Sequence, residues 1–177
     1  MELVVLVDEG GRDVGVMEKL RAHREGRLHR AFSIFVFNRR GEVLLQRRAL
    51  GKYHSGGLWS NACCSHPRPG ESVLEAAHRR LVEEMGFDCE LKEAFTFIYR
   101  ADVGNGLVEY EYDHVLIGVC EADPKPDPSE VMEWKWAKVE DVLKDIREHP
   151  EKYTYWFKLA FEKAVEAWKE MCRQPSS

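Results

Sequence analysis

The stretch Glu71-Ser72-Val73-Leu74-Glu75-Ala76-Ala77-His78-Arg79-Arg80-Leu81-Val82-Glu83-Glu84-Met85-Gly86-Phe87 decides how the rest of the chain is read. Val73, Leu74, Ala77, Leu81 and Met85 recur at spacings of about three and four, the period of an amphipathic helix. Ser72 opens that helix and Gly86 closes it, as a residue suited to the left-handed C-terminal cap should. On the polar side, Glu71, Glu83 and Glu84 stand among Arg79 and Arg80. Carboxylates one turn apart on a helix can converge on a hard cation such as Mg²⁺. The plainer reading is a solvated helix face with scattered charge.

Outward from this helix, short extended runs dominate. Leu3 to Val7 reads as a strand ended by Asp8-Glu9-Gly10-Gly11, with Asp13 to Glu18 as its hairpin partner. Ala31 to Phe37 alternates aromatic and aliphatic residues, and Glu42 to Gln46 follows the turn Asn38-Arg39-Arg40-Gly41. Leu58 to Cys64 has no helical period. Phe95–Ala101 and Leu107–Val119 read as strands joined at Gly104-Asn105-Gly106. Three prolines exclude a regular element from Asp123 to Pro128. Glu133 to Trp136 reads as a last strand, Glu140–Glu148 and Thr154–Met171 as helices, and Gln174-Pro175-Ser176-Ser177 as a frayed end. The order predicts an α/β (α+β) domain over residues 1–177, a mixed β-sheet between helices.

Composition narrows the function classes. With 26 Lys and Arg against 31 Asp and Glu, the net charge of -5 argues against a nucleic-acid partner, which favours a basic face. Arg47, Arg48 and Lys52 could still form a local pocket for an anion. No apolar run approaches the ~18 residues of a membrane span, and no basic leader precedes an apolar core. Five cysteines, an odd number, speak against a disulfide framework and for a reducing, cytoplasmic setting. A monomer is the favoured state of assembly.

The helix resembles the Nudix box: Gly, five residues, Glu, seven residues, Arg-Glu, an aliphatic residue, any residue, Glu-Glu, any residue, Gly, an aliphatic residue. Ser65 stands in place of the first Gly and Arg80 in place of a metal-binding Glu. Arg80 removes a metal ligand and adds a phosphate donor. That exchange disfavours an ordinary Nudix hydrolase and favours a protein that holds a diphosphate without cleaving it.

His23, His29 and His66 lie in separate segments, and Glu109 and Glu111 are two apart on a predicted strand and so share a face. Together they form a five-ligand set for a divalent metal, although spacing cannot bring such segments together. His54, His78, His114 and His149 are read as ordinary surface or core histidines. Several blocks now add a specific likeness. Glu18-Lys19 through His23 to Arg27-Leu28-His29-Arg30-Ala31-Phe32-Ser33 resembles the N-terminal metal segment of type I isopentenyl-diphosphate isomerases. So, in family order, do Gln46-Arg47-Arg48-Ala49-Leu50-Gly51-Lys52, Leu58-Trp59-Ser60-Asn61-Ala62-Cys63-Cys64-Ser65-His66-Pro67, Tyr99-Arg100-Ala101, Val108-Glu109-Tyr110-Glu111 and Tyr153 to Trp156.

The resemblance implies a Nudix fold and an enzyme of isoprenoid biosynthesis. It would turn isopentenyl diphosphate into dimethylallyl diphosphate through a tertiary carbocation. His23, His29, His66, Glu109 and Glu111 would hold a divalent metal (Mg²⁺, Mn²⁺ or Zn²⁺). Glu84 would bind a Mg²⁺ that also touches the diphosphate. Cys64 and Glu111 would transfer protons, with Tyr99 beside the glutamate and the identity of the acid in each direction left open. Lys19, Arg48, Lys52 and Arg80 would bind the diphosphate, and Trp156 would face the hydrocarbon. Tandem Cys63 and Cys64 point to opposite faces of an extended segment, so one serves and the other is a small buried hydrophobe. Cys64 is the expected one. If the position of Ser65 required a positive φ, a serine there would carry strain. The alternatives are a Nudix hydrolase of a nucleoside diphosphate derivative and a non-catalytic binding module on the same fold.

Overall fold

The computed structural model describes residues 2–173. The C-terminal Gln174 to Ser177, expected to fray, lie outside the described residues. Nine strands form one mixed sheet: β1 (Leu3–Val7), β2 (Asp13–Glu18), β3 (His29–Phe37), β4 (Glu42–Arg48), β5 (Trp59–Ser60), β6 (Cys63–Ser65), β7 (Lys92–Gly104), β8 (Leu107–Val119) and β9 (Val131–Lys138). Among the described residues, four α-helices complete it: α1 (Lys19–Glu25), α2 (Val73–Met85), α3 (Val139–Glu148) and α4 (Tyr155–Arg173).

Strand β3 is the hub. It pairs in parallel with β8 along its whole length, from His29↔Glu111 to Phe37↔Val119, and antiparallel with β6 from Phe32↔Ser65 to Ile34↔Cys63. The expected β3–β4 hairpin touches only at Phe37↔Val43, because β6 takes the facing edge of β3 and β5 that of β4, while β9 pairs along the other edge of β4 from Glu42↔Lys138 to Arg48↔Val131. Strand β9 is accordingly longer than expected. The β7–β8 hairpin turns through Asn105 at φ 56° and Gly106 at φ 73°. Two consecutive left-handed residues are the conformation that matches the twist of the flanking strands.

Alternation along the strands builds two cores, one on each face. Phe32, Ile34 and Val36 of β3, Leu44 of β4, Cys63 and Leu116 pack with Ala76, Ala77, Leu81 and Met85 of α2. Phe35, Phe37, Val43, Leu45, Val115 and Ile117 pack with Val139 and Val142 of α3 and with Phe157, Phe161 and Val165 of α4. Each side chain points opposite to its neighbour, so one strand serves both layers. The sheet between helices is the architecture the sequence predicts.

Helix α2 is fixed at both ends. Ser72 and Glu75 form a reciprocal capping box, and Gly86 ends the helix at φ 71°. A Cβ at Gly86 would lie 2.3 Å from the Lys125 carbonyl oxygen, so the return of the chain against the cap requires glycine. Helix α1 was not expected. Its seven residues carry too little apolar period to stand out, but Glu18 accepts from Leu20 N and Arg21 N, and Gly26 caps the end at φ 64°. Among the described residues, no helix is long and apolar enough to cross a membrane.

Candidate active site and metal centre

The parallel register sets the site. It places His29 at the start of β3 opposite Glu111 of β8, while Glu109, Glu111 and Asp113 alternate onto the buried side of β8. Glu111 Oε2 lies 3.1 Å from His29 Nε2 and 2.9 Å from His66 Nε2. Tyr99, opposite Glu111 in the β7–β8 ladder, puts Oη 2.5 Å from Glu111 Oε1 and 2.6 Å from Glu109 Oε2. A phenol has one proton, so it satisfies only one of these carboxylates at a time. The other contact is satisfied when a carboxyl oxygen carries a proton.

Helix α1 delivers His23, which is wholly buried. Its Nδ1–H donates to the Lys19 carbonyl at 2.8 Å, and His29 Nδ1–H donates to the Arg27 carbonyl at 2.9 Å. These backbone bonds fix the rings so that, in the neutral form, each Nε2 carries the lone pair, the arrangement typical of metal-ligating histidine. His23 Nε2 has no hydrogen-bond partner. Ligand atoms of His23, His29, His66 and Glu111 lie within 4.8 Å of one another, and those of His23, His54 and Glu109 form a second such group. A buried imidazole nitrogen without a partner among carboxylates is costly unless a cation occupies the space. The residues therefore fit a divalent metal.

Without an ion, the same contacts set the protonation states, and on His29 a cation would take the place of the proton shared with Glu111. Burial, with the neighbouring His66, pushes His23 down to about 4, so its ring is neutral at physiological pH. Burial opposes charge on Glu111, but hydrogen bonds from His29 and His66 outweigh it and hold the carboxyl well below its ordinary range. His29 is raised: its bond to Glu111 overcomes the effect of burial. Burial, reinforced by Glu109 and Glu111, pushes the Tyr99 phenol well up.

His54 corrects the sequence reading, which left it as an ordinary histidine. It is 4% exposed, lines the cleft, and sets Nε2 2.6 Å from Glu109 Oε1. Nothing in its spacing marked it, because it meets Glu109 only through the tertiary fold.

The two cysteines part as an extended segment requires. Cys63 turns into the core under α2, 3.6 Å from Glu84 Oε2, and is fully buried. Cys64 faces the cleft. Its thiol donates to Asn61 Oδ1 at 3.2 Å and accepts from Trp156 Nε1–H at 3.0 Å. Asn61 is itself fixed, with Nδ2 donating to the carbonyls of Ile34 and Cys63. Ser33 Oγ lies 3.6 Å from the sulfur and donates to Asp113 Oδ2 at 2.8 Å. Burial and the nearby Asp113 push the Cys64 thiol well up, so it carries a proton. Burial and Glu111 likewise raise Asp113. The sequence reading did not single out this Asn61–Ser33–Asp113 surround. Among the described non-glycine residues only Ser55 and Asn105 have positive φ, so Ser65 carries no such strain.

Four cations line the same cleft: Lys19, Arg48, Lys52 and Arg80. Arg47 turns away to Glu133 and the Gly57 carbonyl, as alternation along β4 dictates. Lys19 pairs with Glu2 and lies over the Tyr53 ring, and Lys52 pairs with Glu130. Arg48 stacks 5.2 Å above the Trp156 ring. The Nε atoms of Arg48 and Arg80 are buried without a partner, so the cleft offers donors for an incoming anion. Glu84 does not line the cleft. It lies behind Arg80, which donates to it at 3.0 Å, and it also accepts from Gln46 at 2.8 Å.

The NUDIX domain family matches residues 27–157. An isopentenyl-diphosphate Delta-isomerase of Halorhodospira halophila is 55% identical over 172 residues, covering 95% of this chain and 98% of that protein. The isopentenyl-diphosphate Delta-isomerase 2 of Aromatoleum aromaticum is 52% identical, covering 92% and 86%. Among solved structures, a Deinococcus radiodurans protein superposes with a TM-score of 0.78 at 20% identity, covering 92% of this chain and 99% of that one. The MutT protein of Methanosarcina mazei gives 0.65 at 21%, covering 83% and 96%. These structures speak to the fold. With half of its residues shared over nearly full length, and with the NUDIX fold beneath them, this chain belongs to the isopentenyl-diphosphate Delta-isomerase family.

Proposed function

We propose that this protein interconverts isopentenyl diphosphate and dimethylallyl diphosphate by moving one proton onto carbon and another off it. The observation that carries this reading is a cleft that joins two proton-carrying groups on separate strands to a wall of four cations. Cys64 stands on β6, on one side of β3, and Glu111 on β8, on the other. Protonation of the terminal alkene carbon makes a tertiary carbocation, and loss of a proton from the neighbouring carbon completes the shift. Two groups reaching the substrate from different sides are needed, and the Cys64 thiol and the Glu111–Tyr99 unit are the two. One gives a proton, the other accepts one, and the roles exchange in the reverse direction. Acid–base groups of this kind typically contribute ~10²- to 10⁴-fold each.

Lys19, Arg48, Lys52 and Arg80 bind the diphosphate, which does not react. His23, His29, His66, Glu109 and Glu111 hold a divalent metal. When bound, that cation supplies the charge that keeps the carboxylates ionised and the cluster ordered. Glu84, now neutralised by Arg80, would help hold a Mg²⁺ if Arg80 turned to the diphosphate, which it could bind in a bidentate manner. Trp156 borders the hydrocarbon end, and its indole ring stabilises a cation without capturing it. Five unpaired cysteines suit a reducing cytoplasm.

The test is proton NMR of isopentenyl diphosphate with the purified protein and Mg²⁺. Dimethylallyl diphosphate should accumulate to equilibrium. An unchanged substrate in a folded, metal-loaded sample would reject this reading and turn attention to nucleoside diphosphate hydrolysis.

A further inference from the structure

We propose that His54 is a sixth protein ligand of the metal centre, binding through Nε2. The inference rests on the metal centre argued above and adds to it a residue outside its five-ligand set.

Three observations carry it. First, His54 repeats the tethering of the other imidazoles. Its Nδ1 lies 2.9 Å from Ser55 Oγ, as His23 and His29 tie Nδ1 to backbone carbonyls. With Ser55 Oγ accepting from Nδ1–H, Nε2 is the free lone pair. Ser55 reaches that position at φ 54°, an uncommon conformation for a non-glycine residue and one that tertiary context must impose.

Second, the contact between His54 and Glu109 is not aligned as a hydrogen bond. Nε2 lies 2.6 Å from Oε1, yet Nε2 is buried with no hydrogen-bond partner. Two donor atoms that approach closely without pointing at each other point instead at a shared neighbour. His23 Nε2, also buried and unpartnered, completes that group within 4.8 Å.

Third, the two ligand groups meet at His23. His23 belongs to both, and it has a single free nitrogen. An ion held on His23 Nε2 has His29, His66 and Glu111 on one side and His54 and Glu109 on the other. The rings close around a common point, with His23 centroids 5.1 Å from His29, 5.8 Å from His54 and 6.0 Å from His66. Six donors complete an octahedral shell. Such an ion would act by charge and by fixing Glu109 and Glu111.

Co²⁺ titration of the metal-free protein tests this by a readout independent of turnover. A histidine bound through Nε2 shows a hyperfine-shifted, solvent-exchangeable Nδ1–H proton resonance. His54→Gln should remove one such resonance from the Co²⁺ spectrum. It should also raise the Co²⁺ Kd by about 100-fold or more, at or beyond the upper end of what loss of an outer-shell partner costs. A His54→Gln spectrum that keeps every shifted N–H signal would overturn the proposal while leaving the five-ligand centre standing. Absence of any Co²⁺ uptake by the wild-type protein would remove the centre and the proposal together. Should His54→Gln fail to fold, X-ray absorption of the Co²⁺-loaded wild type decides. Four imidazoles in a six-coordinate shell support His54, and three in a five-coordinate shell exclude it.

Discussion

Helix α2 and the imidazole cluster behind the cleft both gather carboxylates, and they neutralise them in different ways. On α2 and at its approach, guanidinium groups do it. Glu71 accepts from Arg79 at 2.8 and 2.9 Å, Glu83 from Arg80 at 2.9 Å, and Glu84 from Arg80 at 3.0 Å. In the cluster, Glu109 and Glu111 face imidazoles and one phenol, and two buried Nε2 atoms have no partner. The first region is electrically complete with protein alone. The second keeps buried lone pairs without a partner and fits a cation. With Arg80 in place of a box carboxylate, the helix is neutralised without an ion and turns a guanidinium toward the cleft, and the imidazole cluster is the group that fits a metal.

The strongest way to break this contrast is at the cysteines that divide the two regions. Cys64→Ala should lower kcat by about 10²- to 10⁴-fold. Cys63→Ala, on the α2 side, should keep turnover within a few-fold and lose about 1 kcal/mol of stability. Steady-state kinetics and denaturant unfolding of the two variants check this, and equal loss of activity in both would undo the assignment. Next is chelation. Removing the divalent metal should lower Tm by about 5–10 °C, from a linkage of about 2.7 kcal/mol at a hundredfold excess over Kd. Residues 18–32 should then become more susceptible to protease. Thermal melts and limited proteolysis with and without chelator test it, and identical behaviour would show that the cluster is complete without an ion.

On the helix side, Arg80→Gln should raise KM for the diphosphate by about 10- to 100-fold, as loss of a charge-assisted contact worth roughly 1.5–3 kcal/mol requires. It should also destabilise the fold, since Glu84 would remain buried without its guanidinium. A rise in KM with unaltered stability would mean that the Arg80–Glu84 pair is not structural. The smallest effect belongs to Glu71→Gln, about 1 kcal/mol at neutral pH. The Arg79 hydrogen bonds hold Glu71 below its ordinary carboxyl range. Its contribution is therefore present above the unfolded pKa and disappears as pH falls through the lower folded value. Stability curves of the two proteins should converge in acid, and a gap that persists there would assign the effect to packing.

Much of the fold was legible because it rests on local period. The spacing of Val73, Ala77, Leu81 and Met85 names α2, and alternation from Ala31 to Phe37 names the hub strand. Helix α1 escaped because seven residues with two buried side chains make no pattern, although Gly26 after Arg24 was an available end signal. The length of β9 was hidden in the same way. It is set by pairing with β4, and its exposed faces carry Glu133 and Lys135 rather than an apolar run. In the site, family likeness named the residues that share motifs, and the β3–β8 register explains why they meet. His54 and the Asp113–Ser33–Asn61 surround of Cys64 lie outside those motifs or carry no period of their own. Their roles exist only through contacts between segments distant in sequence.

The most direct test follows isopentenyl diphosphate by NMR in deuterated water with the metal-loaded protein. The account predicts dimethylallyl diphosphate carrying solvent deuterium in a methyl group, with the diphosphate intact. Release of phosphate or diphosphate without deuterated allylic product would contradict it, because the cleft would then be cleaving the group that its four cations are argued only to hold.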